Sequence, residues 1–148
     1  MEIAKDMMLE ESKIKELVHE AIEARKNSYS PYSNFSVGAA LLTKNGKIYR
    51  GCNIENAGFS ATVCAERTAV FKAVSEGERE FVALAVVGGP TESGPAGAGK
   101  SGPCGVCRQV LLEFCEDLLI IGADNEEKYY INTLKELVPM PFGPHNLA

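Results

Sequence analysis

Helical and strand-like apolar patterns alternate along the chain. From about Glu10 to Arg25, apolar residues recur every three or four positions, which predicts an amphipathic helix. Further helices are expected at about Val63 to Glu76, Pro103 to Cys115 and Thr133 to Val138. Short apolar or alternating runs predict strands at Ser36 to Thr43, Lys47 to Asn53, Phe81 to Val87, Leu118 to Gly122 and Tyr129 to Ile131. This alternation predicts an α/β fold, layered around one sheet.

Local signals mark several boundaries of these elements. Asn45-Gly46 predicts a hairpin turn between the first two strands. Ser60 and Thr62 are candidate caps of the second helix, which Gly77 would end. Thr133 and Glu136 have the spacing of a capping box. We expect a loop from Gly88 to Gly102 and an irregular tail from Pro139 to Ala148.

Length and charge exclude several classes of protein. A chain of 148 residues fits a single domain, which we predict over 1–148. Its net charge of -5, with no basic block, argues against nucleic-acid binding. No apolar run is long enough to span a bilayer. The acidic segment Met1 to Glu11 has no signal-peptide pattern, so we expect a cytosolic protein without membrane contact.

The chemistry of the chain is concentrated in two cysteine motifs. Cys64-Ala65-Glu66 is followed, about forty residues later, by Pro103-Cys104-Gly105-Val106-Cys107. Three thiolates can hold one zinc ion and leave its fourth position open, as in catalytic rather than structural zinc sites. Glu66 would stand beside that position to move protons. The arrangement matches the signature shared by zinc deaminases.

The other two cysteines fit this site less well. Cys115 lies eleven residues after Cys104, and on one continuous helix it would be about 16 Å away along the axis. If Asn53 and Glu55 face a site from an extended strand, Cys52 faces the other way. His19 and His145 fall in the first helix and the tail. A closed structural zinc site with a fourth ligand remains an alternative, but it has no need of Glu66.

Charge balance singles out one arginine. Zinc with three thiolates carries a net negative charge, which works against ionising a bound water. A cation close to the sulfur atoms would compensate for this charge. Arg67, next to Glu66, is the candidate for that role.

One motif points to a different class of protein. The segment from Gly94 to Ser101 satisfies the phosphate-loop pattern G-x-x-x-x-G-K-[ST]. In a nucleotide-binding loop, a strand ends just before the motif and its Lys and Ser begin a helix. Here the strand is expected to end near Val87, and Gly102-Pro103 delays the helix. We therefore interpret the segment as a loop, and Lys100→Ala abolishing tight ATP binding would contradict this.

The combined motifs resemble the small, homotetrameric class of cytidine deaminases. The resemblance rests on five ordered segments: Pro31-Tyr32-Ser33-Asn34-Phe35, Gly51-Cys52-Asn53-Ile54-Glu55-Asn56-Ala57, Cys64-Ala65-Glu66-Arg67-Thr68-Ala69, Pro103-Cys104-Gly105-Val106-Cys107-Arg108-Gln109 and Phe142-Gly143-Pro144. It implies a three-layer α/β/α sandwich with a mixed five-stranded sheet. It also implies one zinc ion per chain, held by Cys64, Cys104 and Cys107.

The resemblance implies a reaction as well. Glu66 would take a proton from the water that attacks C4 of the pyrimidine, then protonate N3 and the leaving amino group, so that cytidine or deoxycytidine becomes the uracil nucleoside. The substrate contacts would come from Phe35, Asn53, Glu55, Ala65 and Phe142. Asn53 and Glu55 would hold the ribose, and Phe142 would reach into a neighbouring subunit's site. Such an enzyme serves pyrimidine salvage.

Two features depart from the family pattern. Phe59 stands where family members commonly carry tyrosine, and the Gly88 to Gly102 loop is unusually long and rich in glycine. A related deaminase of a cytosine-containing antibiotic, such as blasticidin S, is the nearest alternative. Asn53 and Glu55 favour a ribose-bearing substrate over it.

Overall fold

The computed structural model describes residues 9–95 and 102–148. The long helices are α1 (Glu11–Arg25), α2 (Ala65–Ser75) and α3 (Gly105–Leu112), followed by the short α4 (Leu134–Leu137). The strands are β1 (Phe35–Thr43), β2 (Ile48–Cys52), β3 (Phe81–Pro90), β4 (Leu119–Asn125) and β5 (Lys128–Thr133). All the predicted elements are present. The prediction of a single domain over 1–148 stays a prediction, because residues 1–8 and 96–101 lie outside the described ranges.

The five strands form one mixed sheet in the order β2-β1-β3-β4-β5. Only β3 and β4 are parallel, and the other neighbouring pairs are antiparallel. The β1–β2 hairpin turns at Asn45-Gly46 as predicted, with Gly46 at a φ of 91°. The parallel pair needs a crossover, and α3 provides it.

Both faces of the sheet are covered by helices. Successive residues of β1 illustrate this, because Ala39 and Leu41 pack on the side of α2 while Ala40 and Leu42 pack on the side of α1. The apolar stripe of α1 (Ile14, Leu17, Val18 and Ala21) is buried against the second of these faces. The expected three-layer α/β/α sandwich is therefore confirmed.

Both cysteine-bearing helices begin later than their sequences suggested. Val63 does not start α2, because its backbone N–H and C=O both pair with Ile54 (3.0 and 2.9 Å). Thr62 does not cap that helix either, since its hydroxyl accepts the N–H of Asn56, and Ser60 lies in a short 3₁₀ turn, Phe59–Ala61. The helix is preceded by Cys64 in extended conformation.

The third helix is also shorter than predicted. Pro103 does not occupy its first turn, because Cys104 is still extended and the helix begins at Gly105. At the other end, the chain leaves α3 after Leu112 in tight turns, so Cys115 lies beyond the helix. The distance estimate that set Cys115 apart assumed a continuous helix and was wrong in that detail.

Most of the strands, by contrast, extend further than predicted, although β2 is shorter (Ile48–Cys52). β3 continues through Gly88 and Gly89 to Pro90, because β1 pairs with it along this whole length. Residues with a low strand preference are held there by their neighbour. β4 continues to Asn125, whose side-chain carbonyl accepts the N–H groups of Glu127 and Lys128 (2.8 and 2.9 Å) and closes the turn into β5.

Two smaller expectations can also be settled. Glu136 accepts hydrogen bonds from the backbone N–H and the hydroxyl of Thr133 (2.7 and 3.0 Å), as expected at the start of α4. The tail is less irregular than predicted, because Pro144–Asn146 form a 3₁₀ turn. Among the described residues, no helix is long and apolar enough to cross a membrane.

Arg25, at the end of α1, joins that helix to two strands. Its guanidinium donates hydrogen bonds to the carbonyl groups of Ser36 (2.8 Å), Gly89 (2.9 Å) and Pro90 (2.8 Å). Beside it, the hydroxyl of Ser36 bonds to those of Ser30 and Thr91 (3.0 and 2.7 Å). The ends of β1 and β3 are thus held together by polar groups as well as by the ladder.

The start of α2 lies directly against β2, and Gly51 makes this possible. A Cβ atom at Gly51 would lie 2.4 Å from the carbonyl oxygen of Ala65 and 2.5 Å from the nitrogen of Ala69. Both are backbone atoms of α2, so they cannot give way by a side-chain rotation. Gly51 therefore sets how closely the helix that follows Cys64 approaches the sheet.

We expect Gly51→Ala to lower the free energy of unfolding by about 2 kcal/mol or more, because the added methyl group overpacks a rigid contact. Chemical denaturation of the zinc-loaded protein measures this. Gly105→Ala is the matched control, since nothing lies within 4 Å of a Cβ there and that variant should be neutral or slightly stabilised. Equal stability of the two variants would contradict the role given to Gly51.

Candidate active site

Three thiols meet where α2 and α3 begin. Cys64 and Cys104 are the residues that precede the two helices, and Cys107 lies in the first turn of α3. Neither helix start is capped by a side-chain hydrogen bond from these residues. The free N–H groups and the positive ends of both helix dipoles therefore point towards the sulfur atoms, which favours thiolate.

The spacing of the sulfur atoms suits a metal ion. The Sγ atoms of Cys64 and Cys104 are 3.8 Å apart, and those of Cys104 and Cys107 are 3.5 Å apart. Tetrahedral zinc with bonds of about 2.3 Å would separate two sulfur ligands by about 3.8 Å. Within the described ranges, these three residues are the group that can hold a metal. The geometry thus agrees with the prediction that Cys64, Cys104 and Cys107 come together.

Arg67 lies against this group of thiols. Its Nη2 atom donates to the sulfur of Cys64 (3.4 Å), while its buried Nε has no hydrogen-bond partner among the described residues. Hydrogen bonds from Cys107 and then Arg67 lower the pKa of Cys64 to about 5. The Cys64 contact and burial raise the pKa of Cys107. The guanidinium of Arg67 thus favours the thiolate form of Cys64, which it contacts.

Glu66 is buried beside the thiols. Only 5% of its surface is exposed, although it is the second residue of α2. Burial raises the pKa of its carboxyl group to about 7, and the neighbouring Cys64 thiolate adds to the effect. A carboxyl group of this kind exchanges protons readily near neutral pH.

A cavity of about 180 Å³ opens onto Glu66, Cys64 and Cys104. Phe35 and Ala65, both predicted substrate contacts, line it. Its wall also contains four residues that sequence reasoning did not select: Val37, Val86, Gly88 and Gly102. Gly88 belongs to β3, whereas Gly102 ends the predicted loop just before Pro103. Small and apolar residues of this kind carry no chemical signal that could have identified them in the sequence.

Asn53 lies next to the cavity wall, with its side chain directed at β1. Its Oδ1 atom accepts the N–H of Val37 (2.9 Å), and its Nδ2 atom donates to the carbonyl of Phe35 (2.8 Å). The strand β2 ends one residue earlier, and the amide side chain continues its pairing with β1. Only 8% of Asn53 is exposed. One N–H and one lone pair remain available for a ligand.

Glu55 adjoins the segment that precedes β1. Its Oε1 atom accepts the N–H groups of Tyr32 and Ser33 (2.9 and 3.1 Å), and its Oε2 atom accepts the hydroxyl of Ser33. The hydroxyl and these two N–H groups hold the pKa of Glu55 below its usual range. Ser33 was not selected from the sequence, although the Pro31-Tyr32-Ser33-Asn34-Phe35 motif contains it.

The predicted substrate contact Phe142 and the family departure Phe59 both lie apart from the cavity. Phe142 is 59% exposed, and its carbonyl accepts a hydrogen bond from Gln109 (2.8 Å). Phe59 is also exposed and stands edge-on to Tyr32, with ring centroids 5.9 Å apart. Neither aromatic ring lines the cavity within the described part of one chain.

The side chains set aside by sequence reasoning are accounted for elsewhere. Cys115 packs against the core, and burial raises the pKa of both Cys115 and Cys52. His19 contacts Glu126 at 3.2 Å, and His145 lies 3.9 Å from Glu116. No nitrogen ligand therefore joins the three thiols in the described ranges.

The phosphate-loop string cannot be followed in full. Residues 96–101, which include its Lys and Ser, lie outside the described residues. One premise of the sequence argument was wrong, because β3 ends at Pro90 rather than Val87. The other premise is strengthened, because the next helix begins only at Gly105.

Comparison with known proteins places the chain in a family. The family model described as "Cytidine and deoxycytidylate deaminase zinc-binding region" matches residues 11–123. A cytidine deaminase of Sporosarcina psychrophila is 48% identical over 140 residues, which span 91% of this chain and 95% of that protein. The chain thus belongs to the family of zinc-binding cytidine and deoxycytidylate deaminases.

A solved structure and a more distant relative add to this. The crystal structure of a cytidine deaminase from Burkholderia pseudomallei matches with a TM-score of 0.75 and 42% identity, covering 86% of this chain and 97% of that one. A blasticidin-S deaminase of Bacillus cereus is 32% identical over 128 residues, 86% of this chain and 90% of that protein. The fold is shared, and the metal of the family is zinc.

We expect purified protein to contain about one zinc ion per chain, and Cys107→Ala to contain little or none, because two thiols cannot hold the ion tightly. Metal analysis of both proteins measures this. Cys115→Ala is the matched control and should keep its zinc. Full zinc content in Cys107→Ala would contradict the assignment of these ligands.

Proposed function

We propose that the chain is a zinc-dependent deaminase that converts cytidine and 2'-deoxycytidine to uridine and 2'-deoxyuridine, with release of ammonia. The observation that carries the proposal is the convergence of three thiols beside a cavity that Cys64, Cys104 and the buried carboxyl group of Glu66 line. Membership of the deaminase family supports it. The cytidine deaminases among its relatives indicate the nucleoside.

Cys64, Cys104 and Cys107 are the residues that would hold the zinc ion. Their sulfur atoms have the spacing and softness that this metal favours. Bound zinc supplies a Lewis acid that makes water nucleophilic near neutral pH. Arg67 offsets part of the negative charge of the three thiolates through its contact with Cys64.

Glu66 is the catalytic residue for proton transfer. It takes a proton from the water that attacks C4 of the pyrimidine ring and delivers it to N3. It then moves the proton of the new C4 hydroxyl group to the amino group, so that the C4 carbonyl forms as the C–N bond breaks and ammonia leaves. Because this carboxyl group is buried, the protons pass between water and substrate rather than to bulk solvent. One group can thus serve as base in the first step and as acid in the later ones.

Substrate orientation falls to Phe35 and Ala65, which line the cavity, and to Asn53 and Glu55 outside its wall. The ring of Phe35 packs against the pyrimidine, and Ala65 lies under it at the start of α2. Glu55 accepts a hydrogen bond from a ribose hydroxyl, with the spare N–H of Asn53 beside it. An ionised carboxylate at the sugar favours a free hydroxyl over a phosphate, which argues for a nucleoside rather than a nucleotide.

The active unit is proposed to be a homotetramer. Apolar side chains of the tail are exposed in the single chain, with Phe142, Met140 and Leu147 more than half exposed. Such a surface is typical of an interface. Phe142 would then complete the site of a neighbouring subunit. The enzyme would work in pyrimidine salvage in the cytosol, where thiol ligands stay reduced.

We expect cytidine and deoxycytidine to be deaminated with similar efficiency, and deoxycytidine 5'-monophosphate and blasticidin S at least about a hundredfold less well, because Glu55 selects a free sugar hydroxyl. The loss of absorbance at the cytosine band measures each rate. Blasticidin S has the same reacting ring and is the direct comparison. Faster turnover of blasticidin S would favour the antibiotic deaminase instead.

We expect Glu66→Gln to bind zinc normally and to lose deamination by a factor of about 10² to 10⁴ or more, because the amide retains the shape of the side chain and cannot transfer the proton. Zinc content and cytidine turnover are both measured. Glu113→Gln, at an exposed position after α3, is the control and should keep full activity. Substantial turnover by Glu66→Gln would refute the proposed mechanism.

A further inference from the structure

The hydroxyl group of Ser33 connects two predicted substrate contacts, Glu55 and Phe35, that sequence reasoning treated separately. It donates a hydrogen bond to the carboxylate of Glu55, and it accepts the backbone N–H of Phe35 (3.1 Å). Glu55 is the proposed sugar contact, and Phe35 is the proposed wall for the base. The side chain of Ser33, which has a single heavy atom beyond Cβ, therefore contacts both Glu55 and Phe35.

The carboxylate of Glu55 is held on both of its oxygen atoms. Two backbone N–H groups, from Tyr32 and Ser33, fix Oε1, whereas the Ser33 hydroxyl is the protein donor to Oε2. Backbone donors remain in any variant of this segment. The orientation of Oε2 therefore depends on one side chain, that of Ser33, which a substitution can remove.

Phe35 is likewise held at both ends of its backbone. Ser33 accepts its N–H, and Nδ2 of Asn53 donates to its carbonyl (2.8 Å). Backbone bonds join the same two segments, since Tyr29 donates to the carbonyl of Asn53 (3.0 Å) and accepts the N–H of Glu55 (2.8 Å). The turn that precedes β1 and the residues that follow β2 are therefore joined by side-chain and backbone hydrogen bonds.

We propose that Ser33 is a positioning residue for nucleoside recognition, which presents one oxygen atom of Glu55 to a sugar hydroxyl and keeps it in register with Phe35. The inference rests on the proposed function. Glu55 can still accept the sugar hydroxyl at Oε2, because a carboxylate oxygen takes two hydrogen bonds. Ser33 itself does not touch the reacting atoms.

This role predicts a particular kinetic signature. The sugar contact is the same in the ground state and in the transition state, so its loss raises KM and leaves kcat unchanged. A defect in the metal group or in Glu66 would instead lower kcat. The two kinds of damage can therefore be separated in one experiment.

We expect Ser33→Ala to raise KM for cytidine about tenfold, in the range for a lost hydrogen bond to a charged group, with kcat within about twofold. Ser33→Thr keeps a hydroxyl group and should restore most of the loss. Ser12→Ala, at an exposed position in the first turn of α1, is the matched control and should leave both constants unchanged. Zinc content and the thermal midpoint check that the variants fold.

A double-mutant cycle tests whether Ser33 acts through Glu55. In a Glu55→Gln background, Ser33→Ala should cost less than about twofold in kcat/KM, because the oriented carboxylate is already lost. Ser33→Ala should likewise cost less than about twofold in kcat/KM when the substrate is a deoxycytidine analogue without the hydroxyl group that Glu55 binds. A full tenfold loss in either case, or a fall in kcat alone, would overturn the role assigned to Ser33.

The outcome also distinguishes this inference from the proposed function. If the unaltered protein deaminates cytidine but Ser33→Ala changes KM less than twofold, only the role of Ser33 is wrong. If the unaltered zinc-loaded protein neither deaminates cytidine nor binds uridine in calorimetry, the proposed function fails, and the role of Ser33 fails with it.

Discussion

Two helices have to begin next to each other for three thiols to share one ion, and most of the structure serves that requirement. Cys64 and Cys104 each occupy the last extended position before a helix, where free N–H groups gather. Gly51 allows the first of these helices to lie against the sheet. The parallel pairing of β3 and β4 brings the second to the same edge.

The same arrangement imposes an electrostatic cost. Three sulfur atoms and the carboxyl group of Glu66 crowd one partly buried region, with Arg67 as the cation in contact. Arg67 favours the thiolate form of Cys64 through its direct contact with that sulfur atom. A bound dication would neutralise most of this charge. Metal binding and the stability of the two helix starts are therefore coupled, as they are in other thiolate sites.

The sequence predicted the elements and the ligand set well because both depend on local patterns. Its errors have tertiary causes. Val63 pairs with Ile54 instead of joining α2, and Gly88 to Pro90 are strand residues because β1 pairs with them. The cavity wall at Val37 and the link through Ser33 could not be inferred from composition, since those residue types are common on any surface. The roles of Asn53 and Phe142 remain predictions.

Arg25 connects the first helix to the site, although α1 lies on the opposite face of the sheet. Its three carbonyl contacts connect the last turn of α1 with both strands whose ends frame the cavity. A shift of that helix would be transmitted to Phe35 and Gly88 through rigid backbone rather than through loose side chains. The opening of the cavity is in this sense a property of the whole three-layer assembly, because an amphipathic helix with no residue in the cavity wall is bonded to the strands that line it.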